Sequence, residues 1–158
     1  MIIIGIDPGT SRTGFAVVKY TRGEAKIIEF GCWELSEFDG LTRLEKIFKN
    51  LDKLIKEHKP DLLGIEELFF FKNAKTVMKI SEARGVILLA TKRNKVKIIE
   101  LTPLQVKQYM TGYGRAEKKQ IQQLVKSYFN LDTIPKPDDA ADALAICIAS
   151  ICHLEKKS

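Results

Sequence analysis

The chain has 158 residues, 45% of them hydrophobic and 29% charged, which suits a single domain spanning 1–158 with a real core. No apolar run is long enough to cross a membrane, and "MIIIGIDPGT" lacks the basic start and small-residue cleavage site of a secretory signal, so a cytoplasmic protein is expected. Lys and Arg number 26 against 20 Asp and Glu, a net charge of +6 that suits a polyanionic partner, while three cysteines without C-x-x-C spacing (Cys32, Cys147, Cys152) argue against a disulfide framework or a zinc site and read as buried free thiols.

The first strand is "MIIIGID" (1–7), followed by the turn "PGTSRTG". "FAVVKY" (15–20) and "AKIIEFGCWEL" (25–35) complete an antiparallel meander through "TRGE". From Leu41 the period changes. Leu41, Leu44, Ile47, Phe48, Leu51, Leu54 and Ile55 share one helix face, with Thr42 and Glu45 offering a capping box. "KPDLLGIEEL" (59–68) reads as a buried strand, and 73–94 as a long helix opened by Asn73, whose Gly85 permits close approach of a neighbour. "VKIIEL" (96–101) is the fifth strand. Thr102 caps a helix with Pro103 in its first turn. The loop "TGYGR" (111–115) leads to a helix over 116–130, and a last helix covers 138–153. The pattern predicts an α/β fold: a mixed five-stranded sheet with helices on both faces, the ribonuclease-H-like arrangement.

Acids gather at three places along this order. Asp7 ends the first strand, where it either opens a turn or serves a site. Glu66 and Glu67 end the fourth strand and point to opposite faces, so at most one can join a given neighbour. Asp138, Asp139 and Asp142 stand at the mouth of "DDAADALAICIA". Capping by Asp138 and a helix-dipole contact by Asp139 explain two of them and leave Asp142 unexplained. Asp139 and Asp142 share a helix face, as nearly do Asp138 and Asp142, and such stacked carboxylates repel unless a cation lies between them. An Asp/Glu cluster without His or Cys suits Mg²⁺ or Mn²⁺. Sites of this kind often hold two ions about 4 Å apart, which serve to activate a water and to steady a leaving oxygen.

At these residues the sequence resembles the RuvC family of Holliday-junction resolvases. The matching pieces are "GIDPGTSRTG" (5–14), "IEELFFFKNAKT" (65–76), "ARG" (83–85), "QVKQYMTGYGRAEKKQIQ" (105–122) and "DAADALAICIA" (139–149), in order over nearly the whole chain. The resemblance implies a homodimeric, divalent-metal endonuclease acting on four-way DNA junctions. Its acidic tetrad falls on Asp7, Glu66, Asp139 and Asp142, which would be both catalytic residues and metal ligands, with two Mg²⁺ or Mn²⁺ ions per site. Asp138 departs from the family pattern and reads as a cap or an outer charge.

The resemblance also places Lys107 and Lys118 near DNA and the active site. Arg115 lies beside the glycine loop between them, and Lys119, Lys72, Lys75 and Lys79 are candidates for extending a phosphate track. Phe69, and next Phe70, would reach into the junction, where an aromatic ring can stack on a base or wedge a step apart. The helix holding Gly85 is expected at the dimer contact, and branch-migration motor proteins are implied as partners. The expected reaction is in-line attack of water on phosphorus, with paired nicks in strands of like polarity that leave 5′-phosphate and 3′-hydroxyl ends. Rival readings are an actin-like ATPase or sugar kinase, suggested by "GIDPGT", a related nuclease processing structured RNA, and a junction-binding protein without catalysis.

Overall fold

The computed structural model describes residues 1–9, 11–67 and 74–156. Its elements are β1 (Ile2–Pro8), β2 (Arg12–Thr21), β3 (Glu24–Glu34), α1 (Gly40–His58), β4 (Leu62–Glu66), α2 (Ala74–Arg93), β5 (Lys97–Leu101), α3 (Pro103–Thr111), α4 (Lys118–Tyr128) and α5 (Asp138–Glu155). The strands form one sheet in the order β3-β2-β1-β4-β5. β1, β2 and β3 pair antiparallel, whereas β4 and β5 add in parallel through helical crossovers. Arg22 and Gly23, both at positive φ, make the tight turn between β2 and β3.

Alternation along the strands divides the buried side chains between two cores. Ile3, Ala16, Val18 and Leu62 point to the face covered by α3, α4 and α5. Ile4, Ile6, Val17, Leu63 and Ile65 point to the face covered by α1 and α2. The expected mixed sheet with helices on both faces is therefore the observed one.

α5 decides where the acids sit. Every residue from Ala140 to Ile151 except Asp142 is buried, and the small side chains of Ala140, Ala141, Ala143 and Ala145 let the helix lie close to the sheet. The sheet reciprocates with glycine. A β-carbon on Gly5 would stand 2.3 Å from the Ala143 carbonyl oxygen, one on Gly64 2.2 Å from Ser150 Oγ, and one on Gly14 1.9 Å from the Asp139 carbonyl oxygen. At Gly5 and Gly14 the obstacle is backbone and no L side chain fits, so these positions hold the helix and sheet in register.

Several local expectations change. Asp39, not Thr42 with Glu45, caps α1: its carboxylate accepts from the amides of Leu41 and Thr42, and the Thr42 hydroxyl donates to it as well. Pro137 occupies the N-cap of α5, and Asp138 spends its carboxylate on Lys118 instead of on the helix end. α4 is shorter than expected, beginning where the Gln120 side chain accepts from the Glu117 amide. Thr102 caps α3 as expected, in a reciprocal box with Gln105. Only Cys147 of the three free thiols is fully buried; Cys32 and Cys152 are partly exposed. A β-carbon on Gly85 would meet none of the described residues within 4 Å, so close packing against them does not account for that glycine. Asn73, expected to open α2, lies outside the described residues.

Candidate active site

β1 continues through Pro8, so Asp7 is a strand residue paired with Gly14 of β2 and not the start of a turn. Glu66 is the last residue of β4. In the parallel ladder Ile6 lies beside Ile65, so Asp7 and Glu66 sit one step further along neighbouring strands. Both have the parity of Gly5 and Gly64, the glycines that face α5. The strand period thus points Asp7 and Glu66 at the helix bearing the remaining acids. Glu67, one residue on, is exposed.

The first turn of α5 presses on the same spot. The backbone of Asp139 covers Gly14, the cross-strand partner of Asp7, and Asp142 follows three residues later. Asp7, Glu66 and Asp142 line a cleft of about 250 Å³ with Lys107 of α3 and Lys118 of α4. Its apolar wall comes from Pro103, Val106, Ile121, Ala145 and Ile146. Asp139 stands just outside that lining, near enough for its charge to act on Asp7.

Burial and crowded carboxylates raise the acids of the cleft against the pull of its lysines. Burial, reinforced by the Asp142, Glu66 and Asp139 carboxylates, raises the Asp7 carboxyl to about 8. Burial and Asp142 raise Glu66 to about 7, against the pull of Lys107. Burial also raises Asp142, although Lys118 opposes the shift. The Lys118 ammonium reaches Asp142 Oδ2 at 3.1 Å and Asp138 Oδ2 at 3.4 Å. Burial works against that ammonium, but its hydrogen bonds to the two carboxylates outweigh it and its pKa rises. Lys118 thus already acts as a cation between stacked acids on one helix face.

The donors fit a hard divalent cation. They are carboxylate oxygens without His or Cys, which suits magnesium or manganese, and a doubly charged ion would favour the charged forms that burial, and after it mutual repulsion, disfavours at Asp7 and Glu66. Among the described residues no group of three or more His, Cys, Asp or Glu side chains is arranged to hold a metal ion by itself. The acids line an open cleft with room for substrate oxygens, as a catalytic magnesium site requires.

The remaining expectations divide. Arg115 is exposed and does not line the cleft, as are Lys75, Lys79 and Lys119. Phe69, Phe70 and Lys72 lie outside the described residues. Sequence reasoning missed the apolar wall, although its signal is visible afterwards. Pro103, Val106 and Lys107 repeat the helical spacing of Asp142, Ala145 and Ile146, and Lys118 with Ile121 follows the same rule. Each helix brings polar and apolar groups to the cleft from a single face. Sequence reasoning also missed the Arg12–Glu34 ion pair (2.9 Å) across β2 and β3, whose Arg12 feels the charge of Asp139.

Comparison with known proteins converges on one family. Residues 3–153 match the family model described as crossover junction endodeoxyribonuclease RuvC. The chain is 50% identical over 158 residues to the crossover junction endodeoxyribonuclease RuvC of Fusobacterium nucleatum, covering 99% of this chain and 83% of that protein. Its fold superposes on a Thermus thermophilus RuvC structure with a TM-score of 0.92 at 27% identity, covering 99% and 97% of the two chains. Against T. thermophilus RuvC in complex with a Holliday junction substrate the TM-score is 0.89 at 25% identity, with 99% and 96% covered.

Proposed function

The chain belongs to the RuvC family of crossover junction endodeoxyribonucleases, and from that premise we propose that it resolves four-way DNA junctions by hydrolysing two phosphodiester bonds, in strands of like polarity, at the cleft described above. The observation that carries this reading is the meeting of Asp7, Glu66 and Asp142, far apart in sequence, in one cleft that also holds two lysines.

Asp7, Glu66, Asp139 and Asp142 would hold the metal, two Mg²⁺ or Mn²⁺ ions per site. When bound, the ions supply charge to neutralise the phosphate, acidify the attacking water and stabilise the leaving oxygen. The chain's own residues do the rest. Water attacks phosphorus in line with the bridging 3′ oxygen, and that P–O bond breaks. One product keeps the 5′-phosphate and the other a 3′-hydroxyl. Lys107 and Lys118 face the reacting phosphate from α3 and α4 and offset charge on its non-bridging oxygens. Lys118 is held for this by Asp142 and Asp138, so it stays protonated at neutral pH. The apolar wall of Pro103, Val106 and Ile121 keeps bulk water from one side of the site.

Arg115 extends the contact along the DNA backbone. Phe69, and after it Phe70, is the residue proposed to stack on bases at the branch. The described chain works as one ribonuclease-H-like domain and pairs through α2 into a twofold dimer, which matches the approximate twofold symmetry of a junction. Gly85, open on free space, lies on that helix. Branch-migration motors are proposed as partners, and the cytoplasm as the place of action. Among the described residues no helix is long and apolar enough to cross a membrane.

The test is cleavage of an end-labelled synthetic junction beside a structured RNA of equal length, in Mg²⁺ and in EDTA. Metal-dependent symmetric nicks in the junction alone are expected. Preferential cleavage of the RNA would overturn the assignment.

A further inference from the structure

We propose that Arg84 of α2 is a positioning residue that fixes the end of β4, and with it Glu66, for metal binding and junction cleavage; the inference rests on the site assignment above.

Arg84 sits in the middle of α2, on the face of the sheet opposite the cleft, yet it reaches the catalytic strand. Its side chain is 18% exposed. Nε donates to the Glu66 backbone carbonyl at 3.4 Å, and Nη2 pairs with the Glu100 carboxylate of β5. Glu100 lies beside Ile65 in the ladder, so strand parity turns it toward α2, as it turns Ile65 toward that core. One guanidinium therefore joins three elements: α2, the end of β4 and the end of β5.

The place of this junction matters. Glu66 is the last residue of β4, and among the described residues the one further backbone bond to β5 beyond it runs from the Glu67 amide to the Leu101 carbonyl at 2.8 Å. A side chain at a strand end is free to swing with its peptide unless something holds the carbonyl. Arg84 holds it from behind, while the Glu66 carboxylate projects into the cleft in front. β5 leads through Thr102 directly into α3, which carries Lys107. The same clip therefore sets the spacing between Glu66 and Lys107, the lysine whose charge acts on it.

A guanidinium suits the task for geometric reasons. Its planar fork bonds a carbonyl with one nitrogen and a carboxylate with another, whereas an ammonium is a point charge without fixed direction. Glu100 compensates a charge that would otherwise be costly to bury. Arg84 touches neither the cleft nor the substrate phosphate, so its effect passes through Glu66.

The experiment compares wild type, Arg84→Ala, Arg84→Lys, Glu100→Gln and Glu66→Gln in the full-length protein. Calorimetry measures Mn²⁺ affinity without DNA, single-turnover assays measure nicking at saturating junction, gel shifts in EDTA measure junction binding, and urea midpoints measure stability. Losing an outer-shell partner typically costs about 10–100-fold in metal affinity or activity. Arg84→Ala is expected to lose that much in both Mn²⁺ affinity and nicking rate, with junction binding unchanged. Arg84→Lys and Glu100→Gln should fall between Arg84→Ala and wild type. A folded Arg84→Ala protein with wild-type Mn²⁺ affinity and nicking overturns the proposal, even if its urea midpoint drops. Should Arg84→Ala fail to fold, Arg84→Lys and Glu100→Gln carry the test, and wild-type Mn²⁺ affinity in both rejects it. Failure of all three to fold also rejects it, since the clip would then serve the fold alone. If Glu66→Gln retains Mn²⁺ affinity and nicking, the site assignment itself has failed; if it loses them while the Arg84 variants do not, only this inference has.

Discussion

Gly14→Ala tests the link between packing and chemistry at a residue that contributes no functional group. The added β-carbon would stand 1.9 Å from the Asp139 carbonyl oxygen, and ordinary contact begins at 3.4 Å, so helix and sheet must part by about 1.5 Å. The obstacle is backbone, so no side-chain rotation relieves it. Overpacking of this kind costs about 1–3 kcal/mol, to be read from urea unfolding of the metal-free protein. The same displacement carries Asp139 and Asp142 away from Asp7, and a misplacement of about 1 Å can cost on the order of 10²-fold in rate. Single-turnover nicking of a saturating junction in Mg²⁺ should therefore fall by at least that factor while binding in EDTA persists. A Gly14→Ala protein of wild-type stability that nicks at the wild-type rate would refute the idea that close contact between α5 and β2 assembles the site.

Asp7 and Glu66 are raised to about 8 and about 7 from ordinary values of 3.8 and 4.5, so the folded metal-free protein keeps protons that the unfolded chain releases. Its stability should accordingly decline as pH rises from about 4 through 8. Asp7→Asn should flatten that decline and Mg²⁺ should oppose it most above pH 8; urea midpoints across this range check both, and an identical profile for wild type and Asp7→Asn would contradict the buried cluster. Asp138→Asn breaks only an exposed contact to Lys118, a type worth about 0–1 kcal/mol, and should nick at close to the wild-type rate, whereas Asp139→Asn should abolish nicking. Lys118→Met should spare binding in EDTA and slow nicking, and because it removes the cation between Asp142 and Asp138 it should shift the acid limb of the pH–rate profile upward. Junction affinity should fall steeply with salt through counterion release, with the slope shallower by about 1 for Arg115→Ala; an unchanged slope would remove Arg115 from the phosphate track.

Much of this architecture is legible in the sequence because the relevant signals are local. Short continuous apolar runs in 1–7 and 15–20, each ended by turn residues, and period 3.6 from Leu41 identify strands and helix directly. Alternation puts Glu66 and Glu67 on opposite faces and the family resemblance selects Glu66; the structure shows Glu66 in the cleft and Glu67 exposed. The three-residue spacing of Asp139 and Asp142 places both on one helix face. Caps were harder to read, because several residues compete for one helix end. Asp39 outcompetes Thr42 since its carboxylate reaches two amides at once, and Asp138 is diverted to a lysine 20 positions earlier. Contacts such as Arg84 to Glu66 and Arg12 to Glu34 have no periodic signature at all. They depend on which strands become neighbours, and that is fixed by tertiary packing. Gly85 illustrates the opposite hazard: a glycine within a helix suggests a close neighbour, and among the described residues none lies within 4 Å of its β-carbon position.

Carboxylates from β1, β4 and α5 are proposed to act together as one metal-dependent nuclease centre. Its most direct test is Asp7→Asn on a labelled four-way junction in Mg²⁺, with binding and nicking measured on the same complexes. The account predicts intact complexes that accumulate no nicks. Nicking by Asp7→Asn at the wild-type rate would contradict it.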